Sequence, residues 1–380
     1  PKPSSAASDV YKRQYEYKYD KPVRQQGFQE TDIVSMVKSV TKYAKLIDKA
    51  EDIKYELDKA LYIALSGRKG PVLLDLPMDI QREEINPETL IGYSGESILN
   101  NPLIAWEEIR LLMESSHRPM LLLGAGCCNS DMVLLNDFIR RHHFPVITSL
   151  MGRGAIDETY DNYIGMIGSY GNRCANMGVA NADLLIALGT RLDTRQTGAR
   201  LDQFLSNGHI IHVDIDDNEL EYHRLLNRKK VNCTIDCFLQ KEKEMPISLG
   251  DISEWNFFLH GLKQRYGQDA EIERFVENKS PYRFMQYFDS LTQTDDVICA
   301  DIGQNQMWAA QTLRLKSGQK FVTSGGLAPM GFSLPVAIGC SFANPNKKVF
   351  SINGDGGFHM AIQSLMLISQ YNLPIKVIIC

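Results

Sequence analysis

The sequence predicts an α/β protein with parallel sheets flanked by helices, and three observations carry this. Short buried-looking runs such as Gly70-Pro-Val-Leu-Leu-Asp-Leu-Pro77 and Pro119-Met-Leu-Leu-Leu-Gly-Ala-Gly126 alternate with amphipathic stretches of helical period. Glycines and acidic residues gather where those runs end, as in sheets that bind ligands at the C-terminal ends of their strands. Finally, 380 residues with 44% apolar and 23% charged composition make a globular chain of two or three domains.

Residues 1–14 are small and polar, lack periodicity and read as a non-native leader. In 51–66, Ile53, Leu57, Ala60, Leu61 and Ala64 share one helical face, with Gly67 placed to end the helix. A short strand in 70–77 closes a first region, 15–85. The polar stretch 83–102, with Pro87, Gly92 and Gly95, reads as a linker. A second region, 86–245, is expected to hold helices at 103–114, 130–141 and 173–181. Its strands are expected at 119–126, 144–148, 183–188 and 209–215. The polar, interrupted segment 240–281 marks the next boundary, and 246–380 forms the third region. There a helix is expected at 283–291, and strands at 297–300, 349–352 and 373–380. Met360, Ile362, Leu365, Leu367 and Ile368 follow at helical spacing.

A net charge of −5 without a long basic run gives no footprint for nucleic acid or a membrane surface. No apolar run is long enough to span a bilayer, and no secretory pattern is visible. The eight cysteines are scattered and form no Cys-x-x-Cys pair, which points to reduced thiols in a cytoplasmic protein.

Chemistry concentrates at Gly354-Asp355-Gly356-Gly357, between a strand and a helix start. Such a turn lets backbone N–H groups approach a diphosphate while its carboxylate anchors a hard divalent cation. The same short motif also serves ordinary tight turns. Upstream lie Asp301-Ile-Gly-Gln-Asn-Gln-Met-Trp-Ala-Ala310 and Ser324-Gly-Gly-Leu-Ala-Pro-Met-Gly-Phe-Ser-Leu-Pro-Val-Ala-Ile-Gly339. The strand ends of the second region carry Gly124-Ala-Gly126, Ser149-Leu-Met-Gly152, Gly189-Thr-Arg-Leu-Asp-Thr-Arg195 and Asp214-Ile-Asp216, joined by Gly168-Ser-Tyr-Gly171. Asn129 occupies the last position of a Gly-x-Gly-x-x-Gly pattern, so the dinucleotide fingerprint is incomplete and a nicotinamide-linked dehydrogenase is disfavoured.

On these segments the chain from about residue 25 to 380 resembles the acetolactate synthase branch of the thiamine-diphosphate enzymes. The resemblance implies a three-domain architecture with the first and third domains incomplete. It implies that thiamine diphosphate lies along Gly303, Gln304, Asn305, Ala328, Met330, Asp355, Gly356 and Gly357, with Met330 bending the cofactor and Asp355 binding Mg²⁺. It also implies a mainly structural FAD. Its expected contacts are Arg68, Gly124, Ala125, Gly126, Leu150, Met151, Gly168, Gly171, Gly189, Arg191, Asp193, Asp214, Ile215 and Asp236. Phe28 and Gln29 would sit beside the substrate channel, and Arg195 would hold the carboxylate of a second 2-oxo acid. The family's catalytic glutamate is expected before residue 1, and its Asn–Asn end just beyond Cys380. The chain is therefore read as a fragment, itself inactive.

Three departures from the family pattern leave room for another substrate: the Ala328-Pro-Met330 variant, Met78 in place of a channel lysine, and Thr194 in place of an aspartate next to Arg195; Leu192 also replaces a phenylalanine. The function so implied is decarboxylation of pyruvate and joining of the fragment to a second 2-oxo acid. Implied partners are a second or fourth copy of the chain, with active sites between subunits, and a small regulatory subunit. Another 2-oxo acid decarboxylase, a C–C lyase or hydrolase, and a non-catalytic nucleotide-binding module stay open.

Overall fold

The computed structural model describes residues 31–95, 104–225, 227–277 and 280–380. The leader 1–14, Phe28 and Gln29 lie outside them. Contacts divide the chain at Asn101/Pro102 into two compact units.

In the first unit, strands β1 (Tyr43–Leu46) and β2 (Val72–Asp75) pair in parallel. The helix Ile53–Leu65 connects them and ends at Gly67, whose φ of +53° is the left-handed conformation that stops a helix. Ile47, Ala50 and Ile80 form a small core. Arg68 and the substituted Met78 both belong to this unit, Arg68 on its exposed surface.

The second unit holds two parallel sheets. The larger is ordered β5-β4-β3-β6-β7-β8, from β3 (Pro119–Leu123), β4 (Val146–Thr148), β5 (Tyr163–Met166), β6 (Leu184–Leu188), β7 (His209–Asp214) and β8 (Arg228–Asn232). β3 and β6 are buried along their whole length, so helices must cover both faces. On one face lie the helices Trp106–Glu114, Met132–Arg141 and Ile235–Glu244. On the other lie Arg173–Asn181 and Ser253–Tyr266. The strand order reverses between β3 and β6, which makes their C-terminal ends the crevice where such sheets take ligands.

The segment 240–281 differs from its reading as an interrupted boundary. It contains the helices Ser253–Tyr266 and Gln268–Phe275, and Trp255, Leu259 and Leu262 are buried against β3 and β6 residues. Helical period was present there, but the charged residues between the apolar ones masked it. β5 and β8 were also not foreseen, since Tyr-Ile-Gly-Met and Arg-Lys-Lys-Val-Asn lack a strong strand pattern.

The smaller sheet is ordered β10-β9-β11-β12, from β9 (Val297–Ala300), β10 (Lys320–Val322), β11 (Val349–Asn353) and β12 (Ile375–Ile379). The helices Pro281–Leu291, Gln304–Thr312 and Ser333–Ala343 pack on it. The single helix expected after Phe358 is instead Asp355–Met360, a 3₁₀ turn Ile362–Ser364 and Leu365–Gln370. Met360, Ile362, Leu365 and Leu367 are exposed, and of the expected apolar stripe only Ile368 packs against the core. Among the described residues no helix is long and apolar enough to cross a membrane.

Candidate functional site

β9 and β11 are central neighbours paired in register from Val297↔Val349 to Ala300↔Ile352, so the turns after them lie side by side. Gly303 adopts φ +139°, open only to glycine, and starts the helix Gln304–Thr312. Gly354 likewise precedes the helix Asp355–Met360. Asn305 fastens the two strand ends together. Only 2% exposed, it donates from Nδ2 to Asp301 O at 3.1 Å and Ile352 O at 3.3 Å.

Asp301, fully buried, braces the third loop. Its carboxylate accepts N–H groups from Ile302 at 2.7 Å, Gly331 at 3.1 Å and Phe332 at 3.2 Å. A Cβ at Gly357 would lie 2.2 Å from Asp301 Oδ2, and one at Gly356 would lie 2.9 Å from Met330 Cε. The Met330 side chain thus projects over Gly356, and the buried Asp301 carboxylate leaves room only for glycine at Gly357. Met330 remains 46% exposed, and Ala328 stands at φ +54°, a strained conformation for a residue with a side chain. Gln304 and Asp355 are exposed at their helix starts, and Asp355 Oδ1 accepts the Gly356 N–H at 2.8 Å.

The arrangement gathers Gly303, Gln304, Asn305, Met330, Asp355, Gly356 and Gly357 at one rim, with Ala328 two residues away in the Met330 loop. It offers backbone approach, two helix starts, a soft apolar prop and one exposed carboxylate. These are groups that suit a diphosphate, a ring system and a divalent cation. Asn353 Oδ1, immediately before this turn, is buried without a hydrogen-bond partner among the described residues.

At the larger sheet, Gly124 N–H donates to Leu188 O at 2.9 Å and Gly126 N–H to Gly189 O at 3.0 Å. A Cβ at Gly124 would meet Gly189 O at 2.1 Å, so contact between the β3 and β6 loops itself demands glycine there. Ala125 and Met151 are exposed at the same edge, and Leu150 is half-buried. Gly168 and Gly171 turn the chain after β5, where Ser169 N–H reaches Arg195 O at 2.8 Å. Arg191 and Asp193 pair at 3.2 Å, and Asp193 also caps the turn carrying Arg195. Arg195 is exposed, its guanidinium 5.7 Å from the Tyr170 ring centre. Asp214 accepts the Asp216 N–H at 2.9 Å within one turn, and Asp236 accepts the Asp131 N–H at 2.7 Å across 105 residues of chain. Ile215 is 38% exposed.

Sequence reading missed the groups that hold these loops. Asp301 is one. His212, fully buried, faces Thr190 O through Nε2 at 2.7 Å and accepts Arg228 at Nδ1 at 2.7 Å, so the ring is neutral with the proton on Nε2. His223 Nε2 lies 2.8 Å from Arg191 O. His212 inside the apolar stretch Ile210-Ile-His-Val213 was the available signal.

Burial is the main cause that lowers the His212 pKa to about 4, with Arg228 adding to it and the Thr190 carbonyl opposing. An unfolded histidine titrates near 6.5, so the stability from neutral His212 is complete above that pH. It falls as pH drops from about 6.5 towards 4, by up to roughly 3 kcal/mol. Urea midpoints measured over that window should decline in the wild type and decline less in His212→Gln.

Comparison with known proteins agrees with both sheets. The description "Thiamine pyrophosphate enzyme, central domain" matches residues 107–236. "Thiamine pyrophosphate enzyme, C-terminal TPP binding domain" matches 301–380. The chain is 36% identical over 365 residues to acetolactate synthase 2, chloroplastic, of Nicotiana tabacum, covering 93% of the chain and 54% of that protein. It is 35% identical over 368 residues to the chloroplastic acetolactate synthase of Arabidopsis thaliana, covering 93% and 53%. For acetolactate synthase 1, chloroplastic, of Oryza sativa subsp. japonica the figures are 36% over 364 residues, 93% and 56%. The chain spans about half the length of the curated relatives it matches. With its parallel sheets, its braced glycine turns and both matching domains, the chain belongs to the thiamine-diphosphate-dependent enzymes and is homologous to acetolactate synthase.

Proposed function

We propose that this chain is the cofactor-holding part of a carboligase of acetolactate synthase type, which decarboxylates pyruvate and joins the fragment to a second 2-oxo acid. The observation that carries the reading is the cradle of Gly303, Met330 and Gly354–Gly357, braced from beneath by Asp301 and Asn305. Bound there, thiamine diphosphate supplies a nucleophilic carbon and an electron sink for loss of CO₂. Gly303 and Gln304 would offer helix-start N–H groups to the diphosphate, Asp355 would hold Mg²⁺, and Met330 would support the rings. The β3/β6 crevice would take FAD, with Arg191 and Asp193 at its rim.

One feature favours carboligation over simple decarboxylation. Arg195 lies over Tyr170, and Tyr170 O accepts Gln311 Nε2 at 2.9 Å from the cofactor helix Gln304–Thr312. A planar cation tied to that helix suits an acceptor carboxylate. Leu327, 99% exposed, and Met366, 74% exposed, suit contact with a second copy of the protein.

The test uses the protein at the full length of its relatives, with pyruvate, thiamine diphosphate, Mg²⁺ and FAD. Acetolactate is the expected product, and acetaldehyde alone would overturn the proposal. Arg195→Gln should raise the KM for the acceptor by about 10- to 100-fold and shift product towards acetaldehyde. An unchanged KM and product ratio would remove Arg195 from the acceptor site.

A further inference from the structure

A second concave site lies away from the cofactor loops, where the larger sheet meets the C-terminal end of the helix Gln304–Thr312. This cavity, about 680 Å³, is bordered by Lys263, His260, Asn172, Gln268, Thr312 and Arg314 among others. Its volume falls in the range of small-molecule sites.

Four features converge on the charge of its occupant. The Lys263 ammonium donates to Tyr163 O at 2.5 Å and Asp161 O at 3.4 Å, but pairs with no carboxylate among the described residues. Burial lowers its pKa and Arg314 lowers it further, while Cys174, Asp161 and Asp269 oppose. A cation taken out of water without a counter-ion is costly, and a bound anion would relieve that cost. Thr312 is 5% exposed, yet its Oγ1 has no hydrogen-bond partner, and His260 Nε2 is buried in the same state. The helix Gln268–Phe275 begins on this cavity, and Gly267 before it supplies no side-chain cap, so its first N–H groups are open to an anion. Arg314 is paired with Asp269 and Arg153 with Glu158, while the Asp161 carboxylate, also on the lining, forms no ion pair with Lys263 among the described residues.

We propose that this cavity binds a small organic oxyanion, a phosphate- or carboxylate-bearing metabolite, between the Lys263 ammonium, the Thr312 hydroxyl and the start of the helix Gln268–Phe275. Nothing in the reaction proposed above uses these residues, so the two readings stand or fall apart.

Inorganic phosphate and succinate are the probes, titrated calorimetrically against the chain with thiamine diphosphate and Mg²⁺ present and sodium chloride at matched ionic strength as control. Saturable binding of either probe at one site is expected, and which of the two binds identifies the oxyanion class. Lys263→Met should weaken that binding at least tenfold, and Thr312→Val about threefold. Melting in chloride alone serves as the folding control. Lys263→Met should melt no lower than wild type there, because it removes a desolvated charge, and should lose the rise in Tm that the probe gives the wild type. Absence of binding by both probes, or equal binding to Lys263→Met, would overturn the proposal.

Discussion

Replacing Asp355 with alanine should weaken Mg²⁺-dependent binding of thiamine diphosphate by at least about 100-fold while leaving the fold intact. The side chain is exposed just after β11, and its carboxylate accepts the neighbouring Gly356 N–H. Its loss therefore removes little packing. What is lost is the carboxylate that neutralises a divalent cation beside a diphosphate, for which the surrounding N–H groups offer no substitute. Asp355→Asn keeps the shape and one oxygen donor without the charge, and should fall between wild type and alanine. Calorimetric titration with thiamine diphosphate at fixed Mg²⁺, repeated with Mn²⁺, measures the effect, and circular dichroism checks the fold. Equal affinity in wild type and Asp355→Ala would place the metal elsewhere.

The largest loss of stability is expected at Arg153, which sits between the two sheets of the second unit. Its side chain is buried, as is that of Glu158, and the guanidinium donates Nε to Glu158 Oε1 at 2.9 Å. It also donates to Ala310 O at 2.6 Å and Leu313 O at 2.5 Å, carbonyls at the C-terminal end of the helix Gln304–Thr312. Arg153→Ala would leave the Glu158 carboxylate charged and dry, and those carbonyls without a donor. Breaking a buried pair in this way costs about 3–5 kcal/mol. Replacing both partners by Arg153→Met and Glu158→Leu removes the orphaned charge and should recover most of that loss, although the Leu315 N–H then loses its Glu158 acceptor. Urea unfolding of wild type, single and double variants gives the answer. A single variant within 1 kcal/mol of wild type would show that the pair contributes little.

The two positions were not equally visible in the sequence. Gly354-Asp355-Gly356-Gly357 announced itself, because strand, glycine turn and helix start are local patterns written in consecutive residues. The same holds for the helix Arg173–Asn181 and for β9, whose bounds match their expected spans. Arg153 gave no sign of its role. Its partners Ala310 and Leu313 lie more than 150 residues away, and an arginine in the loop after a strand reads as a solvated side chain.

The glycines of the larger sheet show the same limit. Gly124 and Gly189 were expected at a flavin; their geometry shows that close passage of two loops already requires them, whatever they bind. Likewise the apolar residues after Phe358 signalled a buried helical face, but the chain breaks at Ala361 and leaves most of them exposed.

Local periodicity and turn chemistry thus determined the fold class, and the resemblance of the motifs the family, from sequence alone, because each depends on residues close together in the chain. Tertiary structure alone decided that Asp301 and Asn305 brace the loops, that His212 stays neutral beneath Thr190, and that Lys263 lines a cavity without an ion pair among the described residues. Each of these is a matter of which polar groups lose water together, and burial is set by contacts between segments distant in sequence.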